Sequence, residues 1–166
     1  MKQLMIYIFS FCVIQAGAQT SSIEPAYKRF PTLPPIQLLL GDSTTKFSKD
    51  DIAKKKPVLV MLFSPECSHC QHTAEEMLKK KDEINDIQII MATMLGFNEM
   101  NEFVAKYKLN TLKNVVVGKD IYYLLPPFYD IKNLPFMAFY TKKGNLISVF
   151  EGSMPLDKVL QIFKEN

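Results

Sequence analysis

The chain has 166 residues, 48% of them apolar, with 20 Lys and Arg against 17 Asp and Glu for a net charge of +3. That length, free of repeats and low-complexity tracts, predicts a single globular domain with one hydrophobic core. Arg29 is the only arginine, and the lysines gather in the short runs Lys54 to Lys56 and Lys79 to Lys81. A nucleic-acid binder would want arginine interleaved with aromatics on one strongly basic face, so the composition excludes nucleic acid as a partner.

The first 18 residues read as an address. Lys2 precedes the apolar run Leu4 to Ile14, and Ala16-Gly17-Ala18 sets small residues at the positions a signal peptidase reads before cutting ahead of Gln19. A run of about a dozen apolar residues is short of the roughly 20 that span a bilayer. Cys12 lacks the small residues before it that lipidation requires, because Ser10-Phe11 stand there. The expected organisation is a signal peptide over 1–18, a flexible segment over 19–29 and a domain over 30–166, with the protein exported. A Gram-negative periplasm is the expected destination, ahead of secretion or tethering to a membrane.

Phe30-Pro31-Thr32-Leu33-Pro34-Pro35 predicts an extended lead-in, followed by Ile36 to Leu40, a polar turn at Gly41-Asp42-Ser43 and the segment Lys46-Phe47-Ser48. A short helical piece is expected around Asp50 to Lys55, ended by Pro57. Val58 to Phe63 is apolar without alternation, the pattern of a strand buried on both faces. From Cys67 the pattern turns helical, with Cys70, Thr73 or Ala74, Met77, Leu78 and Lys81 recurring at threes and fours. Ile87 to Met94 predicts a second buried strand, and Asn98 opens a helix with the face Met100, Phe103, Val104 and Tyr107. Val115 to Val117 is a third strand, closed by Gly118 and Asp120. Within Ile121 to Tyr129, Pro126-Pro127 are expected to forbid regular structure. Phe136 to Tyr140 and Leu146 to Phe150, joined through Lys142-Lys143-Gly144-Asn145, predict a hairpin. A last helix from about Pro155 would bury Leu156, Val159, Leu160 and Phe163. Strands alternating with helices and closing on a hairpin and a helix predict an α/β fold, with a central mixed sheet flanked by helices.

Removing the signal leaves Cys67 and Cys70 as the only thiols. So small a loop staples little chain, which argues for chemical use of the pair in an oxidising compartment. Cys-x-x-Cys by itself also admits zinc or a structural loop.

The strand into Cys67-Ser68-His69-Cys70, the following β-α-β segment, Tyr129-Asp130-Ile131-Lys132-Asn133-Leu134-Pro135-Phe136, then Lys143-Gly144-Asn145, Glu151-Gly152 and a closing helix resemble the thioredoxin fold from end to end. The longer amino-terminal portion and the extra β-α segment resemble the TlpA-like branch, close in architecture to peroxiredoxins. The resemblance implies an exported thiol–disulfide oxidoreductase needing no cofactor. Its partners would be protein thiols and disulfides, with a redox protein, soluble or membrane-bound, donating or accepting electrons.

It also implies roles. Cys67 at the helix amino terminus, where free amides and the helix dipole favour a thiolate, is the expected nucleophile, and Cys70, one turn further in, is the resolving thiol. Ser68 and His69 tune the potential. A histidine there stabilises the thiolate and leans the pair toward an oxidant or isomerase. Pro135 matches the proline held cis opposite the dithiol, with Leu134 supplying an edge for an extended substrate. His72 is expected to be a surface residue.

Two positions depart from the family. Glu66 stands where many relatives have tryptophan, and Met61 stands where thioredoxins bury an aspartate. Glu66 is either a substitute proton acceptor for Cys70 or a solvated carboxylate. Ser64, three residues ahead of Cys67, fits a peroxiredoxin-like peroxidase, but the downstream arginine of such sites is missing. Cys67, His69, Cys70 and His72 offer copper or zinc ligands without a further distant one, so no metal site is assigned. A metallochaperone or a non-catalytic thioredoxin-like binding domain is the alternative from another class.

Overall fold

The computed structural model describes residues 24–166. The expected signal peptide and residues 19–23 lie outside the described residues. In chain order the elements are α1 (Ala26–Arg29), β1 (Gln37–Leu39), β2 (Lys46–Ser48), β3 (Val58–Leu62), α2 (Ser68–Lys79), β4 (Gln88–Thr93), α3 (Phe97–Lys106), β5 (Val115–Lys119), α4 (Leu125–Tyr129), β6 (Phe136–Tyr140), β7 (Leu146–Glu151) and α5 (Leu156–Lys164). The strands form one seven-stranded sheet in the order β2-β1-β5-β4-β3-β6-β7. Pairings β3–β4 and β4–β5 are parallel, whereas β1–β2, β1–β5, β3–β6 and β6–β7 are antiparallel. This is the mixed sheet of the thioredoxin fold that the sequence resembles.

The apolar run of β3 has no alternation because both of its faces are covered. Leu59 and Met61 join Cys70, Ala74, Met77, Phe103, Val159 and Leu160 under α2, α3 and α5. Val58, Val60 and Leu62 point the other way, to Leu38, Leu125, Tyr129 and Tyr140 under α4. All five residues of β3 are buried, as are all five of β6 beside it. Successive side chains of a strand alternate between faces, so one central strand serves two cores.

Gly118 continues β5 where the sequence pattern closed it. A Cβ there would stand 2.8 Å from the Leu38 Cβ and 3.1 Å from the Leu39 carbonyl oxygen. Only glycine lets β1 come alongside.

Several expectations are corrected. The helical piece over Asp50 to Lys55 shrinks to one 3-10 turn, Lys49–Asp51. Its start is a capping box, with the Asp51 carboxylate accepting from both the Ser48 amide and hydroxyl, and nothing apolar on it rewards further turns. Helix α2 stops at Lys79, which leaves Lys81 beyond it and exposed. Pro126-Pro127 do not forbid structure, because they occupy the first turn of α4, where an amide donor is not needed. The buried Asp120 carboxylate accepts from the Leu124 and Leu125 amides at 3.1 and 2.9 Å and fixes the start of that helix. The segment 19–29, expected to be flexible, carries α1 at its described end. Tyr27 packs on Tyr129 with ring centroids 6.1 Å apart, so the packed domain reaches ahead of Phe30.

Candidate active site

Strand β3 ends at Leu62, and Phe63 extends it by donating its amide to the Ala92 carbonyl at 3.0 Å. Ser64 and Pro65 then turn the chain toward α2. The Cys67 amide donates to the Ser64 carbonyl at 3.1 Å, and the Gln71 side-chain amide ties down the Pro65 carbonyl at 2.8 Å. The turn delivers Cys67 as the N-cap of α2, with extended backbone, φ −77° and ψ 116°. Its Sγ takes the place of a capping oxygen and accepts from the Cys70 amide at 3.4 Å. Positive potential from the unpaired amides of a helix start favours negative charge on such an atom.

Both cysteines are free thiols, Cys67 half-buried and Cys70 buried. Burial pushes the Cys70 thiol well above its ordinary range, with the neighbouring Cys67 thiol adding to the shift. Met61, at 0% exposure in the core beneath α2, supplies no carboxylate there. The two sulfurs are therefore different reagents, one at the surface on a helix amino terminus and one held protonated in an apolar interior.

Facing Cys67 is the segment between α4 and β6. The peptide bond between Leu134 and Pro135 is cis, as the resemblance implied. Cys67 Sγ donates to the Leu134 carbonyl oxygen at 3.7 Å, which brings together sequence positions 67 residues apart. Cys67, Cys70, Leu134 and Pro135 thus converge at one end of the sheet.

The other candidates are less engaged. Ser68 and His69 are exposed on the first turn of α2. The His69 carbonyl accepts the Thr73 hydroxyl at 2.9 Å, and its imidazole bonds neither thiol. Glu66 is exposed and its carboxylate makes no hydrogen bond to either cysteine. It borders a groove of about 350 Å³ with Pro65, Gln71, Glu99, Glu102, Phe103, Lys106 and Tyr107. His72 is exposed, as expected. The Ser64 hydroxyl accepts the Glu66 amide at 3.3 Å, and Arg29 lies exposed on α1 over the Phe30 ring. Among the described residues no three His, Cys, Asp or Glu side chains converge in a way that could hold a metal ion.

Glu151 went unnoticed in the sequence except as a spacing mark. At the end of β7 it accepts hydrogen bonds from residues 132 and 133, just ahead of Leu134. Only the strand pairing could have pointed to it, since the contact spans 18 residues.

A thioredoxin-like domain family matches residues 49–166. No curated protein sequence matches the chain. Among solved structures, the pneumococcal exposed lipoprotein thioredoxin of Streptococcus pneumoniae is 25% identical, with a TM-score of 0.62 over 80% of this chain and 99% of that one. A secreted Mycobacterium tuberculosis disulfide oxidoreductase, homologous to DsbE of E. coli, is 16% identical, with a TM-score of 0.66 over 80% of this chain and 96% of its own. A thioredoxin-family thiol:disulfide interchange protein from Chlorobium tepidum is 15% identical, with a TM-score of 0.67 over 81% and 94% of the two chains. The chain belongs to the thioredoxin-like domain family and is built on the architecture of the TlpA/DsbE-like thiol–disulfide oxidoreductases.

Proposed function

We propose that the protein is an exported thiol–disulfide oxidoreductase that exchanges disulfides with other proteins through Cys67 and Cys70. The observation that carries this reading is the contrast between the two sulfurs: Cys67 half-buried at the α2 amino terminus, within 3.7 Å of the Leu134 carbonyl, and Cys70 buried and protonated one turn behind it. In the reducing direction the Cys67 thiolate attacks one sulfur of a substrate disulfide. A mixed disulfide forms on Cys67 and the other substrate sulfur leaves as a thiolate. Cys70 then passes its proton to the substrate thiolate released first and attacks Cys67 Sγ, which closes the Cys67–Cys70 disulfide and frees the second substrate thiolate. The substrate gains two electrons and the protein loses them. The oxidising direction is the same path reversed, and a redox partner, soluble or membrane-bound, restores the starting state.

Ser68 and His69 between the cysteines lean the pair toward an oxidant or isomerase, since stabilising the reduced form raises the potential. Residues 1–18 support export, with the periplasm as destination. Equilibration of the Cys67–Cys70 pair with glutathione buffers tests the reading. A defined two-electron potential nearer the oxidising figure of about −120 mV supports an oxidant, and one near the thioredoxin figure of about −270 mV replaces it with a reductant. A pair that does not equilibrate with glutathione at all ends the oxidoreductase reading.

A further inference from the structure

The backbone facing Cys67 is pinned on both sides of Leu134. Upstream, one oxygen of the Glu151 carboxylate accepts from the Lys132 amide at 3.2 Å. The other accepts from the Asn133 amide at 3.0 Å and from the Asn133 side-chain nitrogen at 3.1 Å. Downstream, the Gly152 amide donates to the Pro135 carbonyl at 2.8 Å, and Phe136 pairs with Glu151 itself in the β6–β7 ladder. Between these anchors the Leu134 amide has no partner among the described residues, and its carbonyl oxygen faces Cys67 Sγ. Glu151 is half-buried and no lysine or arginine pairs with it among the described residues, because Lys132 turns to Asp130 instead. All three hydrogen bonds of its carboxylate go to Lys132 and Asn133, two to their backbone amides and one to the Asn133 side chain.

We propose that Glu151 is a positioning residue for the substrate. Its carboxylate holds the Lys132 and Asn133 amides so that the amide and carbonyl of Leu134 stand ready to pair with an extended, cysteine-bearing peptide in reach of Cys67. This rests on the thiol–disulfide reading above. Hydrogen bonds to an ionised acceptor are stronger than neutral ones. Without them the loop samples other conformations, and the peptide must supply the ordering entropy when it binds. Glu151 touches neither sulfur, so its removal weakens peptide capture and leaves the reactivity of Cys67 unchanged.

The test compares wild type, Glu151→Gln and Glu151→Ala as pre-reduced proteins in single turnover against two disulfides. One is an extended peptide whose cysteine is joined to glutathione. The other is dithiobis(nitrobenzoate), too small to need the Leu134 edge. The half-saturating peptide concentration is expected to rise about tenfold in Glu151→Ala, with the limiting rate and the dithiobis(nitrobenzoate) rate unchanged. Glu151→Gln, which keeps one acceptor oxygen, falls between. An unchanged half-saturating concentration in both variants overturns the proposal. So does a fall in the limiting rate and in the dithiobis(nitrobenzoate) rate alongside the rise in half-saturating concentration, which marks a general structural role. If wild type itself does not react with the peptide disulfide, the underlying oxidoreductase reading fails and takes this proposal with it, a result distinct from an active wild type with indifferent variants.

Discussion

The position of Cys70 in the core makes the stability of the reduced protein depend on pH in a calculable way. In the unfolded chain Cys70 titrates near the ordinary thiol value of about 8.5. In the folded protein burial first, and the Cys67 thiol second, hold it protonated well above that range. A group whose pKa is raised on folding contributes stability that is fully present below the unfolded pKa. That contribution is lost as pH climbs toward the folded value, because the unfolded state releases a proton the native state keeps. The loss is about 0.1 kcal/mol at pH 7.5 and about 1.4 kcal/mol at pH 9.5, one pH unit above the unfolded midpoint. Denaturant unfolding of wild type and Cys70→Ala, both under a non-thiol reductant, isolates this contribution as the change with pH in their stability difference. Any cavity left by the missing sulfur shifts the difference by a constant, and Cys67 is common to both. Wild type should lose about 1.4 kcal/mol relative to Cys70→Ala between pH 7.5 and 9.5. A difference that stays flat across that range would refute the claim that Cys70 is held protonated by its surroundings.

Other outcomes follow from the same geometry. Limiting iodoacetamide at pH 7 should modify Cys67 at least tenfold faster than Cys70, since thiolate and access decide the rate; peptide mapping that finds Cys70 modified equally contradicts the assignment. Tyr129 and Tyr140 bond only each other through hydroxyls 2.7 Å apart in the core. Tyr140→Phe should therefore cost about 1–3 kcal/mol by stranding the Tyr129 hydroxyl, while the double change to phenylalanine costs less than the single, read by denaturant unfolding. Asp120→Ala should cost about 2 kcal/mol by freeing the Leu124 and Leu125 amides, and Asp120→Asn, which keeps one acceptor, should cost less. An Asp120→Ala protein as stable as wild type would show that α4 does not depend on this cap.

Much of the site was legible because its signals are local. The unbroken apolar run of β3, the cysteines at the change from strand to helix period, and Leu134-Pro135 ahead of an apolar strand each sit within a few residues of what they specify. The parts that were missed are those made by distant partners. Helix α4 has five residues, too few to display a period, and it depends on a carboxylate at Asp120 that reads as an ordinary loop residue. Helix α1 is four residues long and is held by Tyr27 on Tyr129, a contact that exists only once the sheet is formed. Glu151 looks like a solvated charge at a strand end until β6 and β7 pair and bring it beside Lys132 and Asn133. Glu66 and His69 flank the cysteines in sequence, yet both are exposed and neither side chain hydrogen-bonds a thiol, a difference that adjacency in sequence does not show.

The division of labour between the two thiols is tested most directly by trapping. Reduced Cys70→Ser and Cys67→Ser proteins are mixed separately with a peptide carrying a disulfide to glutathione, and the products are weighed by mass spectrometry. Cys70→Ser should accumulate a stable mixed disulfide at Cys67, Cys67→Ser should form none, and wild type should pass through to the internal Cys67–Cys70 disulfide. An adduct on Cys70 of Cys67→Ser at a comparable rate, or no adduct on Cys70→Ser, would contradict the assignment of Cys67 as the attacking sulfur.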